Sequence, residues 1–365
     1  MAYQNVGTPR FYISIFPWLN SLGLGYPAIY GGQNDTPSTG NHAFDLNPSS
    51  QLTWAAQPSV FHSFYVKNVP IGKLNFWAFL GHEVAGNPFN IIATSDGGDI
   101  YFSGSNYTFF KDTVFVNVED ESYAKPIYNG FSIGGLDTNE DSFNVVTRIY
   151  LRSALSTAPA GKIGSFLLGR YYDMPHSPDL KLTMTREMDG VKRIRTKGGN
   201  DLVDHRYLKP PLWGSLAPWE IGNGGNQALS RVGRRQWDLS WSYLQGSDMF
   251  GANQNISEWS DEWTAYRPIY QGGGADWDQY GYEEGDLKIN PDGHGMGYNY
   301  NLLTDDNFYS QVIHKTNGGQ LPFVFQPNKD DNTQFAICKL DMNTFQFKQV
   351  ANGVYNVKLK IREVW

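Results

Sequence analysis

Glu258, Asp261 and Glu262 stand beside Trp259 and Trp263, in a stretch that goes on to Trp277, Glu283 and Glu284. Two carboxylates about 5 to 10 Å apart can run the acid and base steps of glycoside hydrolysis, and tryptophan faces can stack on sugar rings. The chemistry is available, but the pattern does not select it. Residues 246–310 hold twelve carboxylates against two cations, so several are neighbours whatever they do. A carbohydrate-binding or glycan-processing role for Trp259, Trp263 and Trp277 is therefore the alternative reading, and no catalytic residue is assigned.

Other chemistry is weaker still. Gly130-Phe-Ser-Ile-Gly134 has the Gly-x-Ser-x-Gly spacing of a nucleophile elbow, which needs a strand before the serine and a helix after it. The polar run Gly135 to Asp141 comes next instead, so a glycine-flanked loop is expected at Ser132. Asn290-Pro-Asp-Gly-His-Gly295 lacks the first acidic position and the closing glutamate of a calcium loop. Asp96-Gly-Gly-Asp99 reads as a hairpin turn. The seven histidines are spread without the short gaps of a zinc site. Cys338, the one cysteine, lies in the apolar run Phe335 to Leu340 and is expected as a small core residue. No metal or cofactor is expected.

The elements that would position these groups are strands. Aromatic residues make up 15% of the 365, glycines number 39, and stretches rich in Ala, Leu, Glu and Lys are scarce, which together predict many short strands joined by tight turns. The net charge is −7 and unevenly spread, +4 over residues 176–245 and −10 over 246–310. That contrast suits a segment that packs electrostatically on a neighbour. An acidic chain with only the short basic run Lys192 to Lys197 does not suit nucleic acid, and no apolar run reaches the ~20 residues of a membrane span.

Residues 1–40 read as an N-terminal arm, either lying across a neighbouring subunit or forming an edge strand of the chain's own sheet. Residues 41–175 carry closely spaced strand candidates, as in a sandwich. Among them Asn75 to Glu83 barely alternates, which predicts a strand covered on both faces with His82 emerging at its end. Two prolines in Asp173-Met-Pro-His-Ser-Pro178 mark the boundary to a second unit, 176–365, with an acidic aromatic insertion at about 246–306. There, Trp237, Leu239, Trp241 and Tyr243 fall on one strand face. Tyr355, Val357, Leu359, Ile361 and Glu363 alternate with Asn356, Lys358, Lys360, Arg362 and Val364, a half-buried strand.

The Pro-Phe-x-Phe-x-Pro turn in Gly318 to Pro327, the final strand ending in Glu-Val, and the Arg/aromatic strand Arg234 to Tyr243 resemble the C-terminal part of tail-tip and distal tail proteins of long-tailed bacteriophages, which place an Arg/aromatic strand before that turn. Asn75 to Glu83 with Ile163 to Arg170 is similar to galactose-binding-like jelly rolls of phage virion proteins. The acidic insertion is absent from the minimal pattern. The resemblance implies an all-β chain, a jelly-roll-like β-sandwich followed by a second β-sandwich with a long loop-rich insertion. It also implies a virion structural subunit, made in the host cytoplasm and housed in the tail, that forms a ring with copies of itself and binds other tail proteins. A host-surface glycan is a further partner. Arg234 and Arg235 meeting Asp261, Glu262, Glu283 and Glu284 of a neighbour is the expected subunit contact, with ion pairing inside one subunit as the alternative.

Overall fold

The structure, a computed structural model, describes residues 6–28, 43–46, 52–54, 61–69, 74–82, 88–94, 114–117, 131–136, 146–153, 161–187, 192–204, 220–222, 228–231, 233–250, 306–332 and 334–364. Among them the chain runs β1 (Arg10–Ser14), α1 (Ile15–Ser21), β2 (Gly25–Ala28), β3 (Leu52–Trp54), β4 (Phe61–Val69), β5 (Phe76–Leu80), β6 (Pro88–Thr94), β7 (Val114–Asn117), β8 (Ser132–Gly135), β9 (Val146–Ser153), β10 (Gly161–Ile163) and β11 (Ser165–Asp173). It continues through β12 (Thr183–Glu187), β13 (Lys192–Arg195), β14 (Asp201–Asp204), β15 (Glu220–Gly222), β16 (Ala228–Arg231), β17 (Arg234–Gln245) and α2 (Gly246–Met249). A π-helix (Tyr309–His314), β18 (Phe323–Gln326), β19 (Ala336–Leu340), β20 (Phe347–Ala351) and β21 (Val354–Glu363) complete it. The fold is all-β.

A ten-stranded antiparallel sheet in the order β12-β17-β21-β19-β18-β1-β11-β5-β8, with β20 added to β21, organises the molecule. A second sheet, β2-β4-β9-β6-β7, shares a core with one end of it. Phe64, Val66, Ile149 and Leu151 of the smaller sheet meet Trp77, Phe79, Phe166 and Leu168 of the larger across the buried residues of α1, a jelly-roll-like sandwich. Pro17 falls in the first turn of α1, where its missing N–H removes no helical bond. At the other end of the same sheet face, Trp237, Trp241, Tyr355 and Leu359 pack under Phe308, Val312 and Ile313 of the π-helix segment and Met249 and Phe250 of the α2 segment. The opposite face of the central strands carries a third cluster, around Tyr12, Phe76, Leu167 and Ile337.

β1 is neither an arm across a neighbour nor an edge strand. It is hydrogen-bonded on both sides, to β11 over its whole length and to β18 from Arg10 to Tyr12. Its composition explains the position. Phe11 and Ile13 face one core and Tyr12 the other, so both faces of Phe-Tyr-Ile are apolar and only a central strand buries both. The sheet therefore runs unbroken across the boundary expected at 175/176.

Periodicity holds in most places. Tyr355, Val357, Leu359 and Ile361 are buried, and β5 is buried throughout. Tyr243 departs from the shared face expected for it. The β17–β21 register shifts between Trp241 and Leu244, Tyr243 takes φ 64°, and its side chain is 77% exposed while Leu244 is buried. A bulge places one extra residue in the strand and reverses the alternation beyond it. His82 also departs from expectation, since it is buried instead of emerging.

Candidate interaction surface and binding cleft

Arg235 does not serve a subunit contact. It lies in phase with Trp237 on the inner face of β17, 6% exposed, and its guanidinium grips the fully buried Glu363 carboxylate. Nη2 donates to Oε1 at 3.0 Å and Nε to Oε2 at 3.2 Å, while the Arg235 backbone N–H donates to Oε2 at 2.9 Å. Nη2 also donates to the Phe335 carbonyl at 2.7 Å. A charge placed among apolar side chains needs an intramolecular partner, and a neighbouring subunit cannot reach this one. Arg234, on the opposite face, is partly buried and lies across from Glu187 of β12. Asp261, Glu262, Glu283, Glu284 and the tryptophans Trp259, Trp263 and Trp277 fall outside the described residues.

Ser132 is not in a loop. It opens β8, and its hydroxyl lies 2.8 Å from His82 Nε2. The distance suits a nucleophile and its base. However, the pair is buried, and the residues after Ser132 continue a strand where an elbow needs a helix. The contact ties the end of β5 to β8. Cys338 is buried as expected, and burial with the nearby Glu363 charge pushes its thiol well up, away from the reactive thiolate.

Two surface features remain. The first is the edge of the large sheet together with the hairpin next to it in the chain. Among the described residues β12 pairs only with β17, and β13 and β14 only with each other, which leaves one side of the β12 edge and of the hairpin without a described partner strand. Thr196 closes the hairpin turn, its backbone N–H donating to the Asn200 carbonyl at 2.8 Å and its hydroxyl to the same oxygen at 3.1 Å. Leu180 is 65% exposed and Leu202 59%, with Met184, Ile194 and Val203 also open to solvent. Five of the nine exposed large apolar residues among those described thus fall between positions 180 and 203.

The second is a cleft of about 630 Å³ beside the π-helix. Asn307 Oδ1 accepts the Ser310 N–H at the start of that helix, and Asn317, Gly318 and Gly319 leave it through three successive positive φ angles (51°, 67°, 84°). Thr316 Oγ1 accepts the Gly319 N–H at 2.9 Å, pinning the turn. Tyr309, Phe345 and Phe347 supply aromatic walls, and Asn317, Gln320 and Asn343 supply amides.

Under the π-helix lies a polar seam between the two cores. Lys315 is buried against Trp18, its Nζ donating to Gln311 Oε1 at 2.9 Å and standing 5.6 Å from the indole centroid. The Arg170–Asp306 ion pair, 2.6 Å long, adds its charges to the surroundings of Lys315. Burial first, and Arg170 second, lower the Lys315 pKa to about 7. Between that value and the ordinary ~10.5 of an unfolded lysine, the unfolded chain binds more protons. Stability therefore rises with pH above about 7, by at most ~1.4 kcal/mol per pH unit, and does not change on this account at lower pH. Denaturant titrations between pH 7 and about 8, below the ordinary thiol pKa of ~8.5, should show this rise. The same titrations should find it flattened in Lys315→Met, and an equal slope in both proteins would show that the ammonium is solvated.

No protein-family model and no curated protein sequence matches the chain. The solved structure of CBM32-3 from a family 31 glycoside hydrolase from Clostridium perfringens is similar over 40% of this chain and 92% of its own, at 12% identity and TM-score 0.28.

Neither surface feature stands out in the sequence. Leu180, Leu182 and Met184 form an alternating run, but alternation does not say whether anything lies over the apolar side. Here only Leu182 packs on the core. The cleft has no motif, because the loop 317–320 and the segment 343–347 meet only in the fold.

Proposed function

We propose that this chain is a non-catalytic structural subunit of a phage virion, a tail, tail-tip or baseplate ring component that joins copies of itself and other tail proteins and helps attach fibres. The observation that carries the reading is the concentration of exposed apolar side chains on the β12 edge and the β13–β14 hairpin. A two-stranded hairpin is marginal in water on its own, and among the described residues no core cluster takes in Ile194, Leu202 and Val203, which gain most from a partner that covers them. The hairpin, residues 192–204, carries +2 in a chain of −7, which leaves −9 on the remainder, so a second copy offers it the complementary charge. The C-terminal segments that resemble distal tail proteins, in β17, β18 and β21, support the same reading.

Light scattering after size separation, with negative-stain images, tests it. The expected result is a ring or another discrete oligomer that loosens as salt rises. The double variant Ile194→Glu/Leu202→Glu is expected to run as a monomer with a melting temperature close to that of the unchanged protein, since neither side chain belongs to a core cluster. A monomer at high concentration and low salt, or an oligomer indifferent to the double variant, would remove this surface from the assembly.

A further inference from the structure

We infer that the cleft beside the π-helix is a binding site for a neutral sugar ring. This goes beyond the assembly role and does not depend on it. Among the described lining residues there is no Asp, Glu, Lys or Arg, and His314 is the one titratable group besides the Tyr309 phenol. Among these residues an anionic ligand such as a phosphate or carboxylate finds no lysine or arginine, and an ammonium no carboxylate. What the walls offer is half-buried ring face from Tyr309, Phe345 and Phe347 together with side-chain amides. The electron-rich face of an aromatic ring attracts the polarised C–H groups of a pyranose, and an amide, carrying both donor and acceptor, matches neighbouring hydroxyls.

The polar groups are in position before any ligand arrives. Asn317 Nδ2 donates to Ser21 Oγ at 2.6 Å, which fixes the side chain and leaves its Oδ1 as an acceptor. The left-handed turn holding Asn317 is locked by the Gly318 N–H to Ile313 carbonyl bond of 2.8 Å. Gln320 and Asn343 make no side-chain hydrogen bond within the protein among the described residues, so their amides are available. Such ordering lowers the entropic cost of binding, and the volume lies within the usual range for small-ligand sites. Gln320 and Asn343 also line a smaller cleft of about 300 Å³ walled by Lys339, Asp341 and Arg362, where a second, more polar sugar unit would sit.

Saturation-transfer NMR on the full chain tests the site, with the methyl glycosides of galactose, glucose and mannose and with N-acetylglucosamine as probes. At least one is expected to bind with a dissociation constant of millimolar order. Phe345→Ala and Asn343→Ala are each expected to weaken binding about five- to tenfold. The variant Trp259→Ala/Trp263→Ala/Trp277→Ala is expected to bind as the unchanged protein does. Phe345 touches the core, so Gln320→Ala and Asn343→Ala, both at exposed positions, keep the test valid if the first variant does not fold. No transfer from any of the four sugars at roughly 50 mM would overturn the inference. Binding that survives the Asn343 and Gln320 changes, or disappears with the three tryptophans, would do the same.

Discussion

Glu363→Ala is expected to lower folding stability by roughly 3–5 kcal/mol, because it leaves the Arg235 guanidinium buried without its counter-charge. Three of the bonds that the Arg235 main chain and side chain make at this point end on that carboxylate, and of these four contacts only the one to the Phe335 carbonyl would remain. Trp237 and Ile361 are buried on the same strand faces as the pair, and the carboxylate is fully buried, so water does not replace the lost charge. The double variant Arg235→Met/Glu363→Leu removes both charges and roughly keeps the volume, so it is expected to lose far less than either single change. A double-mutant cycle by chemical denaturation reads the coupling directly. Single losses below about 1 kcal/mol would place the pair with solvated surface bridges and sink the argument.

The second large effect is expected at Gly169. Its α-carbon lies in β11 between Ser14 of β1 and Phe76 of β5, and a β-carbon there would stand 1.9 Å from the Ile13 carbonyl oxygen. The obstacle is the backbone of β1, which pairs with β11 at Ile13 and with β18 up to Tyr12, so it cannot rotate away as a side chain would. Gly169→Ala should cost about 3 kcal/mol or more, read as a fall in denaturation midpoint with the slope unchanged. Gly135→Ala is the control, since no atom of the described residues lies within 4 Å of the added carbon. It should stay within about 0.5 kcal/mol of the unchanged protein. Equal effects at the two positions would mean that β1 can separate from β11 at little cost.

Much of the fold was legible because period-two burial is a local property. β21 and most of β17 could be read residue by residue, and β5 was recognisable from its lack of alternation. The same parity held the clue that removes Arg235 from the interface, since positions 235 and 237 share a face and Trp237 points inward. A charge in phase with buried aromatics announces an internal partner, and Glu363 stands in phase with Ile361 in the same way. What could not be read was long-range. Nothing within residues 10–14 says that they pair with residues 324–326, and no local pattern brings Asn343 to Asn317. The Tyr243 bulge was hidden because one extra residue looks like continued alternation until the partner strand is known. For the candidate site, the aromatic and acidic residues that drew attention lie outside the described residues, while the described surfaces use ordinary residue types.

The central place of β1 also sets an order of events during synthesis. β1 can find β11 as soon as residue 173 has emerged, but its other edge waits for β18, about 150 residues later. Tyr12 and its hydrogen-bond partner Gln326 are 314 residues apart in the chain. Until the second pairing forms, a nascent molecule carries an open strand edge flanked by Phe11 and Ile13, a template that another nascent chain can match. The two halves therefore cannot mature one after the other on the ribosome. The large sheet closes late and all at once, and a chain interrupted before β18 is left with its middle exposed, prone to joining its neighbours in the wrong way.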